Sequence, residues 1–213
     1  MAQRPRLSRV ASRYRPRQVT LHDGREVTMR AVVESDAPEI VQAFDRLSAD
    51  SRYYRFAHHK KHLSEAALER GVHPRSGRDF VFVATVAAAD GIDIVGAAQY
   101  VRADEHSDET CEFAITVAEA WRGCGLASVL LASLVRRARR DGYRAMEGWV
   151  LADNAPMLAL ARKLHFVIEP VPGDTTVLRA QRALHPPHRR VQPARRAAST
   201  RRRRRAKGRS GPR

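Results

Sequence analysis

The sequence predicts one mixed α/β domain built on a mainly antiparallel sheet of about seven strands flanked by helices. Three observations carry that expectation. Strand-like and helix-like runs follow one another in the order strand, helix pair, three strands, helix, strand, helix, two strands. The three central β-rich runs are separated only by short turn segments, the pattern of an antiparallel meander. Hydrophobic residues make up 43% of the 213, enough for a core. No run approaches the roughly 18 apolar residues that a membrane span needs.

The elements can be justified in order. An Asp23-Gly24 turn precedes a strand over "EVTMRAVV", residues 26–33. Ser35 then offers a helix N-cap, and Ile40, Val41, Phe44 and Leu47 fall at helical spacing. "ADSRYYRFAHHKKHLSEAALERG" predicts a second helix or two short ones. "DFVFVATVAAAD" and "IDIVGAAQYVRAD" are β-rich, and Gly91 between them predicts a hairpin. "ETCEFAITVAE" is a third strand. The acids around its start (Asp104, Glu105, Asp108, Glu109) read either as a polar hairpin turn or as an attractor for a cationic amine. A strong helix spans Leu126 to Arg140 and closes at Asp141-Gly142. "YRAMEGWVLA" is a strand, "NAPMLALARKLH" a helix with Asn154 as a candidate N-cap, and "FVIEPVP" and "TTVLRAQRA" are final strands. His165 falls just past that last helix, where φ is often positive and a histidine costs on the order of 1 kcal/mol.

Charge divides the chain. The net charge is +16, but 13 basic residues lie in 181–213 and six in 1–17, stretches with no acid. Residues 18–180 therefore hold 20 basic against all 23 acidic residues, a net −3. We expect a basic disordered arm over 1–18, a globular domain over 19–182 and an Arg-rich disordered tail over 183–213. The tail either adheres nonspecifically to polyanions such as nucleic acid, in a salt-dependent way, or is simply solvated. Cys111 and Cys124 are the only cysteines and lack ligand spacing, which argues for a reducing cytoplasm and against a zinc site or disulfide scaffold.

The informative stretch is "EAWRGCGLAS", Glu119 to Ser128. A helix start leaves unpaired N–H groups and partial positive charge, a place where phosphates bind. Gly123 and Gly125 leave out the Cβ atoms that would obstruct an anion and can take φ > 0. Ala127 keeps the first turn small, and Arg122 either adds charge or buttresses the loop. The stretch is neither a dinucleotide fingerprint, for want of the third glycine, nor a P-loop, for want of GK[ST]. The remaining choice on the loop alone is between a pyrophosphate cradle and a tight, ligand-free connection.

Arg122-Gly-Cys-Gly125-Leu-Ala127 resembles the [QR]xxGx[GA] signature of the GNAT superfamily of N-acetyltransferases. Val117, five residues earlier, fits the same pattern, and "NAPMLALARKLHF" resembles the family's later helix. The likeness covers about residues 26–182. It is nearest to the acetyltransferase domain of bacterial protein-lysine acetyltransferases, through "LSADSRYYRF", "CEFA" and "NAPMLALARKLHF". It implies acetyl-CoA as cosubstrate, no metal, and a sheet splayed between the fourth and fifth strands. It also implies a pyrophosphate held by Arg122, Gly123, Cys124, Gly125, Leu126 and Ala127, a pantetheine arm along Ile115, Thr116 and Val117, and a cofactor contact at Asn154. Ser51, Arg52, Tyr53, Tyr54 and Arg55 sit where the family's first helices wall the acceptor cleft, with Tyr53 and Tyr54 as the candidate substrate contacts.

The chemistry needs a base. A lysine amine is mostly protonated at neutral pH, so a positioned carboxylate helps. Alternation along "CEFAITV" places Glu112 with Ala114 and Thr116 on one face, opposite Cys111, Phe113, Ile115 and Val117. Glu112 beside two small residues leaves space for a substrate, and the likened acetyltransferases have a glutamate there as general base. Ala161 falls where many relatives carry a tyrosine as general acid, so no side-chain acid is expected. The expected activity is transfer of acetyl from acetyl-CoA to an amine, a protein lysine first and a small-molecule amine second. The rival is a non-catalytic acyl-CoA-binding module tethered to nucleic acid by its tail.

Overall fold

The computed structural model describes residues 14–56, 61–89, 91–104 and 107–184, with the side chains of 104, 107 and 108 left out. The expected arm over 1–13, the tail beyond 184 and the tip of the acidic turn lie outside them. Eight strands form one sheet: β1 (Arg17–Thr20), β2 (Glu26–Ala31), β3 (Phe80–Ala88), β4 (Gly91–Asp104), β5 (Ser107–Val117), β6 (Ala145–Leu151), β7 (Val167–Val171) and β8 (Asp174–Ala183). Their spatial order is β1-β2-β3-β4-β5-β6-β8-β7. Every neighbouring pair is antiparallel except β5–β6, which is parallel.

β1 is the strand beyond the expected seven. Order also begins before Val19: Tyr14 packs edge-on against Phe82 at 4.6 Å. Because β1 adds one to the count, the parting of the strands falls between β5 and β6. Their pairing runs only through Thr110↔Ala145, Cys111↔Met146 and Glu112↔Glu147, whereas β5 continues to Val117 and β6 to Leu151.

Five helices cover the two faces: α1 (Ala37–Asp45), α2 (Ala49–Phe56), α3 (Glu65–Val72), α4 (Leu126–Arg140) and α5 (Ala155–Lys163). Ser35 does not cap α1. It lies in a 3-10 turn over Glu34–Asp36, and the residue beside it, Asp36, is buried and takes a two-pronged hydrogen bond from Arg30 at 2.7 and 2.6 Å.

α4 buries Leu126, Leu130, Leu131 and Leu134 completely against the sheet. Each such side chain is worth about 2–3 kcal/mol in removed apolar surface. α5 adds Leu158 and Ala161 to the same core, together with Phe113, Met146 and Phe166. Phe113 needs room to lie there: a Cβ on Gly148 of β6 would come within 2.6 Å of its ring. The face under α1 and α3 has a far smaller core of Val32, Val72, Val81, Val83 and Ile94. Among the described residues no helix is long and apolar enough to cross a membrane.

Candidate active site

The parting of β5 from β6 opens a cleft of about 690 Å³. β5 supplies Phe113 to Val117 along one wall, β6 supplies Val150, and α5 supplies Asn154, Met157 and Leu160. The loop before α4 closes one end with Arg122, Gly123, Gly125, Leu126 and Ala127. The cleft thus brings together Ile115, Thr116, Val117, Asn154, Tyr54 and every predicted loop residue except Cys124. The Cys124 thiol is buried and donates to the Trp121 carbonyl at 2.9 Å, which leaves only its backbone to face a ligand.

The loop geometry follows from its glycines. Gly125 is the α4 N-cap at φ +90°, left-handed, and no side chain takes the first-turn amides. Gly123 has φ +75° with open space where a Cβ would stand. Gly125 is required for a different reason: a Cβ there would lie 2.8 Å from the ring of His22. His22 belongs to the β1–β2 turn and lines the cleft. That turn is anchored by Arg25, which donates to the Ala120 carbonyl at 2.8 Å and stacks on Trp121 at 4.3 Å.

Arg122 buttresses the loop. Its guanidinium donates to the Ser51 hydroxyl and lies 3.6 Å from Glu119. Ser51 in turn donates to Glu119, which also accepts from the Ser48 amide at 3.0 Å. Burial pushes the Glu119 carboxyl up, but the hydrogen bonds from Ser51 and Ser48 outweigh it and hold its pKa at about 2. The network ties α2 to the loop. Asn154 caps α5, its Oδ1 accepting from the Met157 amide at 3.2 Å while the residue lines the cleft.

The cationic side chains lining the cleft are Arg55, Arg122 and Lys163, beside the imidazole of His22, and no described acid joins them. With free amides at a helix start, that lining fits the diphosphate of a nucleotide cofactor.

Glu112 is not among the residues lining the cleft; it precedes Phe113, the first β5 residue that does. Its β5 register partner on β6 is Glu147, the last pair before the strands separate, and parity places both on the face that also carries Ala114 and Thr116. Burial pushes the Glu112 carboxyl above its usual range, Glu147 pushes the same way, and Arg55 pulls it down. Glu147 is held by Arg179 at 2.5 and 2.8 Å. On the opposite face Cys111 is buried and its thiol is pushed up to about 12, chiefly by burial, so it is inert.

Two other expectations can be placed. Tyr54 is exposed and lines the cleft, whereas Tyr53, its neighbour at 6.3 Å between rings, does not. Ala161 is completely buried in the core and presents nothing to the cleft. Sequence reasoning missed His22 and Lys163 as lining residues, whereas Ser51 and Arg55, expected on the wall of the acceptor cleft, do line it. The Ser51–Glu119 link carried no motif to find it by.

A parallel strand pair that parts, with unobstructed amides at the next helix start, forms a cleft suited to a nucleotide-linked acyl donor. The chain belongs to the acetyltransferase (GNAT) family, whose profile matches residues 42–166. The acetyltransferase PA5475 of Pseudomonas aeruginosa is 34% identical over 157 residues, covering 74% of this chain and 83% of that protein. The acetyltransferase Pat of Mycolicibacterium smegmatis is 27% identical over 156 residues, 73% of this chain but only 46% of Pat. Among solved structures, the GNAT domain of S. lividans PAT superposes with a TM-score of 0.73 at 24% identity, covering 79% of this chain and 96% of that one. The yncA protein of Salmonella typhimurium, solved with its cofactor acetyl-CoA, gives 0.61 at 19% identity over 75% and 94%. The chain is therefore an acetyl-CoA-dependent acetyltransferase of this family.

Proposed function

We propose that the chain acetylates a lysine side chain of a protein, with Glu112 as general base. The observation that supports the base is the register of Glu112: it is the last residue of β5 still paired to β6, one residue before the strands part. Its raised pKa suits proton transfer near neutral pH better than an ordinary exposed glutamate would. The protein acceptor rests on likeness to Pat and on the open face of β6, where Trp149 is half exposed beside Glu147.

In this reading Arg122 to Ala127 hold the diphosphate and β5 from Ile115 to Val117 aligns the pantetheine arm. Asn154 and Tyr54 flank it. The lysine amine loses a proton to Glu112, directly or through one water, and its nitrogen bonds to the acetyl carbonyl carbon. A backbone N–H of β5 is suited to the developing oxyanion. The carbon–sulfur bond breaks, and coenzyme A leaves as a thiolate that takes up a proton. A thiolate is a good enough leaving group to need no dedicated acid, consistent with Ala161 lying in the core.

The test is thiol release from acetyl-CoA in the presence of a lysine-rich protein, with acetyl-lysine detected by mass spectrometry. Glu112→Gln should lower turnover by about 10²–10⁴ with coenzyme A affinity retained. Unchanged turnover would remove Glu112 from the mechanism. Acetylated small amines with no acetyl-lysine would replace the protein acceptor.

A further inference from the structure

We propose that a second cavity, beneath α1, α2 and α3, is an acyl-chain site, so that this enzyme accepts acyl-CoA donors longer than acetyl. The inference rests on the cofactor cleft as read above and deepens it. The cavity measures about 610 Å³ and lies between these helices and the face of β3, β4 and β5. Its floor is small and apolar (Val81, Val83, Ala97 and Ala114), and Phe44 and Leu68 form part of its roof. It exists because this side of the sheet is thinly packed: its buried cluster has five residues, against 27 in the cluster under α4 and α5.

The two cavities are continuous in their walls. Arg55, Ala114 and Thr116 line both. Ala114 and Thr116 lie on the β5 face that looks into the second cavity, one and two pleats beyond Glu112. A thioester presented along this stretch of β5 therefore has two directions open to it. Toward Glu112 and Glu147 the surface is charged and leads onto β6, where Trp149 is exposed. Toward β4 and β3 the walls are mostly apolar, with Gln99, Arg75 and Asp79 among them. An ammonium group entering the apolar part of that space would lose its hydration, whereas a methylene chain gains by the same transfer. The amine and the acyl chain are thus sorted to opposite sides of β5, the amine toward β6 and the chain toward β4 and β3.

Hydrolysis-resistant S-alkyl thioethers of coenzyme A test this without any acceptor. Calorimetry on the full chain should show affinity rising from S-ethyl to S-butyl to S-hexyl, by up to about four-fold for each fully buried methylene. Flat or falling affinities, with coenzyme A itself still bound, would overturn the acyl site and leave the cofactor cleft standing. No binding of coenzyme A would remove both. Ala43→Leu, on α1, fills the cavity from the helix side, away from the cleft lining. It should abolish the chain-length gain and leave S-ethyl affinity unchanged. Equal weakening of S-ethyl and S-hexyl binding would overturn the assignment. Ala67→Leu, on α3 and also lining the cavity, repeats the test from the roof should the first variant fail to fold.

Discussion

Gly125→Ala isolates what the cofactor loop demands of its sequence. At φ +90° an alanine is in the left-handed region, at about 1–2 kcal/mol. Its Cβ would also stand 2.8 Å from Cδ2 of His22, well inside contact distance. The ring can escape by leaving its rotamer, which costs about 1 kcal/mol. It cannot take the whole turn with it, because Arg25 is fixed to Asp23 at 2.7 Å and to the Ala120 carbonyl. The two effects together predict about 2–3 kcal/mol of destabilisation. Urea unfolding of the wild type, Gly125→Ala, His22→Ala and the double variant separates them. The backbone part persists in the double variant, and the steric part, about 1 kcal/mol, disappears as a coupling between the two sites. A neutral Gly125→Ala would refute the left-handed cap. A large loss with no coupling would refute the contact with His22.

Further outcomes follow from the charges and the backbone. Glu112 must be ionised to accept a proton, so the rate should fall at acid pH through a limb lying above the ordinary glutamate range. Glu147→Gln removes a charge that raises that limb and should move it down, while Arg55→Met should move it up; a limb unmoved by either would show that Glu112 is not the titrating base. The folded pKa of Glu119, about 2 against 4.5 for the free group, makes its contribution to stability present above 4.5 and lost as pH falls toward 2. Glu119→Gln should flatten the acid side of a stability–pH curve, and an unchanged slope would sink the Ser48–Ser51–Glu119 network. His165, the one non-glycine with positive φ among the described residues, sits at φ +60° beyond α5. His165→Gly should raise thermal stability by about 1 kcal/mol without altering turnover, and a destabilised variant would mean that the imidazole makes contacts that outweigh its strain.

How much of this was legible in the sequence depends on which force set each element. α4 was readable to the residue because its leucine period, the glycine before it and the Asp141-Gly142 after it agree. β1 was not: "RQVT" has an almost wholly exposed pattern, and what makes it a strand is the backbone edge of β2, which tolerates almost any side chain. The cofactor loop was legible because its work is done by main chain, and main-chain freedom is written in glycines. The reasons for the glycines were less so. Gly125 looked like clearance for a phosphate, and its neighbour is instead a histidine about a hundred positions away in the chain. Arg122 meets Ser51 across 71 residues. Contacts at such separations leave no local period or spacing. Parity along "CEFAITV" did place Glu112, since alternation holds wherever a strand forms, but Glu147 beside it could come only from the parallel register.

That register couples binding to chemistry. Three residue pairs join β5 to β6, and the third is Glu112 with Glu147. Extending the pairing by two residues would close the wall at Ala114, where both cavities meet, and bury the carboxylate behind it. Shortening it by two would free Glu112 from the fork and from Glu147, returning its carboxyl toward the range of an exposed glutamate. The depth of the cleft and the basicity of Glu112 are therefore set by one structural quantity, the length of a short parallel ladder. What limits that ladder is visible on the α4 side: Phe113 lies over Gly148, with Phe166 packed against its ring at 5.1 Å. A side chain at 148 would press directly on Phe113, the first residue past the last pair. Substitution there should consequently shift both cofactor affinity and the acid limb of the rate, although residue 148 faces neither substrate.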